Sequence, residues 1–144
     1  MARLIAGMGT SHVPGVGAAI DNGKTHEDYW VELFKGFEPI RAWHAKNVPD
    51  VNIIVFNDHA TSMSLNHYST FMMGVAEQFQ PADEGWGPRK VPVVEGHPEL
   101  AWHLVENLIL EEFDMAVTAD FDVDHGLTVP LSIAYDQPDA WPAK

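Results

Sequence analysis

The chain has 144 residues, 46% of them hydrophobic and 20% charged, with no cysteine and a formal net charge of −13. This is one globular domain with enough chain for a real core, not a disordered segment, and disulfides, thiolate metal sites and a cysteine nucleophile are excluded. Eight Lys and Arg residues cannot build a basic stripe, which argues against nucleic acid and anionic membranes as partners. No apolar run approaches the roughly 18–20 residues that span a bilayer. The N-terminus lacks a sustained apolar stretch with a cleavage signal, so the expected location is cytoplasmic.

In chain order, the apolar, glycine-punctuated run over residues 3–8 predicts a first strand that leads to His12. Gly15 and Gly17 predict a flexible loop. Tyr29, Trp30, Leu33, Phe34 and Phe37 recur at three- and four-residue spacing, one face of a helix. Thr25 or His26 suits its start, with Glu27 and Asp28 in the first turn. Gly36 and Pro39 predict a break, with a second helical piece running to about Ala45. Val51 to Phe56 predicts a second strand, ending at His59. Strand, helix, strand in this order predicts a parallel βαβ unit. Phe71 to Phe79 reads as strand or helix. The nineteen residues "QPADEGWGPRKVPVVEGHP" read as a long loop, of the kind that carries function. Pro98 then opens a helix whose stripe is Leu100, Ala101, Leu104, Val105, Leu108 and Ile109. "DMAVTADF" predicts a third strand, and "DVDHGLTVPLSIAY" a loop bearing His125. The fold class is α/β, a mostly parallel or mixed sheet flanked by helices.

Ligands in open parallel sheets sit at the carboxyl ends of strands, where this reading puts both His12 and His59. Two imidazoles and a carboxylate suit a non-haem Fe(II) oxygenase and also a zinc hydrolase, and spacing does not separate the two. A histidine after a strand is more often an ordinary loop residue; two at equivalent strand ends bring the metal reading level with that one. Asn57 and Asp58 are either a turn pair or groups near the metal, Asn57 as a hydrogen-bond donor to ligand and Asp58 as the partner that orients an imidazole. His125 is either part of an Asp-His-Gly turn or a proton-exchanging group working near neutrality. His26, His44, His67, His97 and His103 read as surface or packing residues. Trp86, in the long loop, suits a buried or ligand-facing place.

The segments "GTSHVP", "VFNDHA", "FKGFEPIRAW", "PADEGWGPR", "GHPELAWHL", "EEFDMAV" and "DVDHGLTVPLS" occur here in one order. In that order the chain resembles the class III extradiol ring-cleavage dioxygenases, the family of the protocatechuate 4,5-dioxygenase β (catalytic) subunit and the gallate dioxygenases. The resemblance runs over nearly all of the sequence. It implies ferrous iron held by two His and one Glu, with His12 and His59 at the two His positions. It implies His125 near the substrate in an acid/base or oxygen-handling role. The reaction it implies is O₂-dependent opening of a catecholic acid, of protocatechuate or gallate type, beside its paired hydroxyls. A small α subunit and an oligomer are the partners it implies.

The family's glutamate ligand and a further catalytic histidine fall beyond Lys144, and none of Asp58, Glu77, Glu84 and Asp124 matches that ligand. Residues 1–144 are therefore expected to be a single, incomplete N-terminal portion of a larger catalytic domain, with little or no activity alone. The competing expectations are a non-catalytic binding or assembly module on the same fold and, ranked last, a zinc hydrolase using His12 and His59.

Overall fold

The computed structural model describes residues 2–64, 66 and 69–144; His67 lies outside them. In chain order the elements are α1 (Pro14–Asp21), α2 (Val31–His44), β1 (Phe71–Gly74), β2 (Gln78–Phe79), β3 (Val94–Glu95), α3 (Pro98–Leu110), β4 (Met115–Thr118) and α4 (His125–Tyr135). β1 and β4 pair in parallel, Phe71 opposite Met115 through Gly74 opposite Thr118, with α3 in the crossover between them. β2 and β3 form a small antiparallel pair. The class is mixed α/β. Among the described residues, no helix is long and apolar enough to cross a membrane.

α4 organises the packing. Its residues two apart face opposite ways. Val129 and Ile133, both fully buried, join Val16, Ala19 and Ile20 of α1 and Phe34 and Phe37 of α2. Leu127 and Leu131 join Phe79, Val123 and Trp141, with Ile54 and Phe56 packed against them. A helix buried on both sides needs apolar residues nearly all round, and "GLTVPLSIAY" supplies them. Its two inward hydroxyls are satisfied within the helix, Thr128 Oγ1 on the Asp124 carbonyl (3.1 Å) and Ser132 Oγ on the Thr128 carbonyl (3.0 Å). The segment predicted as a loop is therefore the central helix, and Pro130 sits inside it.

Three other expectations need correction. Gly15 and Gly17 lie in α1, not in a loop; Pro14 occupies its first turn, where the missing N–H costs nothing. Gly17 is there for close packing, since a Cβ on it would come within 2.8 Å of Val129 Cγ2. α2 runs unbroken through Gly36 and Pro39 and begins at Val31 rather than near Thr25. Burial of Phe34 and Phe37 against α4, at about 1.5–3 kcal/mol each, outweighs the ~3 kcal/mol of an interior proline. Residues 3–8 and 51–56 are not laddered strands. Residues 51–56 do keep a strand's alternation: Ile54 and Phe56 turn inward, whereas Ile53 is 60% and Val55 92% exposed. Among the described residues no neighbouring strand completes a ladder there. The observed parallel crossover is β1–α3–β4, not the predicted unit built on residues 3–8 and 51–56.

The long loop holds β3 near its end, and its neighbour His97 caps α3, Nδ1 accepting from the Leu100 N–H at 3.3 Å. His44 is buried on α2, its ring edge-on to Tyr135 at 4.7 Å, while His26 and His103 are exposed. Burial raises the Tyr135 phenol above its ordinary pKa, more than the Asn52 side-chain hydrogen bond lowers it. The raised folded-state value means stability is whole below the unfolded pKa of about 10 and is lost as pH rises beyond it. Tyr135→Phe is expected to cost about 1 kcal/mol at neutral pH for the lost hydrogen bond and to flatten the alkaline loss. Urea midpoints on either side of that pH measure both.

Candidate metal centre

The packing around α4 brings three histidines to its N-terminal end. His125 is the first residue of α4. His12 lies two residues before α1, which is pinned to α4 through Val16 and Ile20. His59 follows the extended segment whose Ile54 and Phe56 pack beneath Leu127. The ring centres are 5.2 Å apart for His12 and His59, 6.0 Å for His12 and His125, and 4.0 Å for His59 and His125. His12 and His125, 113 positions apart in sequence, thus share one small volume with His59.

Two buried carboxylates hold two of these rings. Asp124, its side chain fully buried, is the N-cap of α4 and accepts from the Gly126 N–H at 2.7 Å through Oδ1. Its Oδ2 takes the His59 backbone N–H at 2.7 Å and the His59 ring Nδ1 at 2.8 Å. Glu84, from the long loop, is 8% exposed at its side chain. It accepts the His125 backbone N–H at 3.1 Å through Oε2 and faces the His125 ring Nδ1 through Oε1. Both acids also sit at the positive end of α4, where negative charge is favoured.

The donor set suits a divalent metal. An ionised carboxylate only accepts, so a neutral His59 ring carries its proton on Nδ1 and presents a bare Nε2. That is the usual arrangement of a ligating imidazole oriented by a carboxylate. His12 has no hydrogen-bond partner among the described residues, and its ring centre stands 5.2 Å from that of His59. His59, Asp124 and His125 also bring ligand-type atoms within 4.8 Å of one another. Asp124 orients rather than coordinates, because both of its oxygens are engaged by N–H groups in the core.

The other expected site residues divide. Asp58 does not orient an imidazole: its carboxylate accepts the backbone N–H groups of Thr61 (3.1 Å), Ser62 (3.3 Å) and Met63 (3.1 Å), closing the turn after His59. The orienting acid is Asp124, 65 residues on. Asn57 is exposed, and its carbonyl lies against Gly126. It also lines an apolar concavity of about 640 Å³ between residues 51–58, β1 and α3, and none of the three histidines lines that space. Trp86 is 70% exposed on its loop. Sequence reasoning noticed Glu84 and Asp124 only as acids that fail to match the family's ligand; the adjacency of Asp124 to His125 and the polar "DEG" inside the long loop were the available signals.

Over 63 residues the chain is 40% identical to a gallate dioxygenase of Pseudomonas putida, an alignment covering 44% of this chain and 18% of that protein. The chain thus spans under a fifth of that relative's length. A family model described as the catalytic LigB subunit of aromatic ring-opening dioxygenase matches residues 6–142, a span that holds all three clustered histidines and both carboxylates. The chain belongs to the LigB family of aromatic ring-opening dioxygenases.

Proposed function

We propose that this chain carries iron-binding histidines of an extradiol dioxygenase acting on a catecholic acid, with gallate or protocatechuate as the substrate type. The observation that carries the reading is the convergence of His12, His59 and His125 at the head of α4 in a chain of this family. His12 and His59 would hold ferrous iron through imidazole nitrogens. Iron held there would supply the activation of O₂ for ring opening without an external reductant. The chain's own residues do the remainder: Asp124 fixes the His59 ring, and His125 offers a nitrogen that takes a hydroxyl proton from the catechol. The substrate type rests on the relative's name, and the resemblance adds a glutamate ligand and a second catalytic histidine that this sequence does not contain.

The association with a small α subunit or a second copy rests on the resemblance alone.

The test has two arms. Protein purified from its source is expected to take up oxygen when given ferrous iron and gallate or protocatechuate in air, with a ring-opened product. His12→Ala combined with His59→Ala is expected to abolish that uptake and to remove ferrous binding by the 144-residue chain. Oxygen uptake that survives the double substitution would sink the ligand assignment.

A further inference from the structure

Glu84 and Asp124 treat their histidines alike, and the likeness has a chemical consequence. Each carboxylate takes both the backbone N–H and the ring Nδ1 of one histidine: Asp124 for His59, Glu84 for His125. The backbone N–H can only donate, which anchors the carboxylate whatever the ring does. The carboxylate can only accept, so the ring must place its proton on Nδ1. In the neutral ring Nε2 of His125 is then bare.

The loop that brings Glu84 is built for delivery. Asp83 Oδ1 accepts the N–H groups of Gly85 (2.9 Å) and Gly87 (2.8 Å), and these glycines take φ of 100° and 87°, a backbone that side chains rarely adopt. The turn tightens around Glu84 itself and leaves its carboxylate buried against α4.

We propose that Glu84 is a positioning residue of this site: it locks His125 in the Nδ1–H tautomer and so makes Nε2 a ready proton acceptor in the histidine cluster. This deepens the dioxygenase reading and rests on it for the identity of the proton donor, a catechol hydroxyl. In the step the O–H bond breaks and an N–H bond forms at Nε2. The imidazolium that results is balanced by the Glu84 carboxylate already on Nδ1, and no electrons change hands.

The deciding variant is Glu84→Gln. Its amide oxygen must serve the His125 backbone N–H, which has no other acceptor among the described residues, and its NH₂ then faces the ring. An NH₂ requires a lone pair on Nδ1, so the ring proton moves to Nε2 and the acceptor is lost. Long-range proton–nitrogen correlation spectra of the ¹⁵N-labelled chain, at a pH where the ring is neutral, distinguish the two tautomers. The expected result is Nδ1–H for His125 in the native chain and Nε2–H in Glu84→Gln, with unchanged far-ultraviolet circular dichroism. Glu84→Asp, which remains acceptor-only, is expected to keep Nδ1–H and serves as the informative variant if the glutamine form does not fold. In the source protein carrying Glu84→Gln, kcat is expected to fall about 10²–10⁴-fold, the range of a lost general base, with KM little changed. An Nε2–H tautomer in the native chain, an unmoved tautomer in a folded Glu84→Gln chain, or an unmoved kcat after the tautomer flips would each overturn the proposal. If the native protein takes up no oxygen, the dioxygenase reading fails by itself, and the spectra still decide whether Glu84 sets the tautomer.

Discussion

Asp124→Ala is expected to lower the stability of the chain by about 3–4 kcal/mol, the cost of leaving buried N–H groups without an acceptor and losing a helix cap. Asp124 serves three donors with two oxygens: the His59 N–H, the His59 ring and the Gly126 N–H. The discriminating variant is Asp124→Asn, which keeps the volume. With its oxygen toward His59, its NH₂ confronts the Gly126 N–H; turned around, its NH₂ confronts the His59 backbone N–H. Neither orientation satisfies all three, so asparagine is expected to cost about 2–3 kcal/mol, most of the alanine effect. Against a total of about 5–15 kcal/mol, either loss should move the thermal midpoint by roughly 10 °C and lower the urea midpoint without changing the slope. An asparagine variant as stable as the native chain would show that volume, not acceptor count, is what Asp124 supplies. Both variants should also free the His59 ring, so weaker ferrous binding by the folded fraction is expected beside the lost stability.

What the sequence made legible follows from the range of the interactions. Helix α3 was readable because its stripe from Leu100 to Ile109 repeats within a few residues and Pro98 marks its start. β4 falls within "DMAVTADF", where a third strand was expected. His12 and His59 stood out because each ends an apolar run. The partners that give those histidines their chemistry did not stand out, because Glu84 reaches His125 across 41 positions and Asp124 reaches His59 across 65. No local pattern encodes such a pairing. α1 and α4 were misread for a related reason. Gly15, Gly17 and Pro130 argue locally against helix, but Gly17 lets α1 approach Val129 closely, and burial on two sides sustains α4 around Pro130. Local propensity is a weak prior where packing of this kind is available. The reverse holds at residues 51–56, where the alternation of a strand is present in the burial but a ladder needs a second strand beside it.

Gly126→Ala is the substitution expected to do most damage to the site for the fewest added atoms. A Cβ at this position would lie 2.8 Å from the Asn57 carbonyl oxygen, 2.8 Å from Asp124 Oδ1 and 3.0 Å from Phe56 Cδ2. Something must move, and each escape leads to the same histidine. If residues 56–57 retreat, they carry His59 away from α4; if the Asp124 carboxylate rotates, it releases the His59 ring. The overpacking costs about 1–3 kcal/mol, offset by up to about 1 kcal/mol from replacing a helical glycine, so the net stability change should be modest. Metal affinity should fall more, about 10–100-fold, as when an orienting partner of a ligand is lost. Gly36→Ala is the control: it lies in α2 with nothing within 4 Å of the added carbon, so it should stabilise by about 0.5–1 kcal/mol and leave metal binding alone. Ferrous titration of the three chains under anaerobic conditions, beside their urea midpoints, separates the two effects. Native metal affinity in a destabilised Gly126→Ala chain would mean that His59 keeps its place without the tight contact between residues 56–57 and α4, and that the site is held from the α1 side alone.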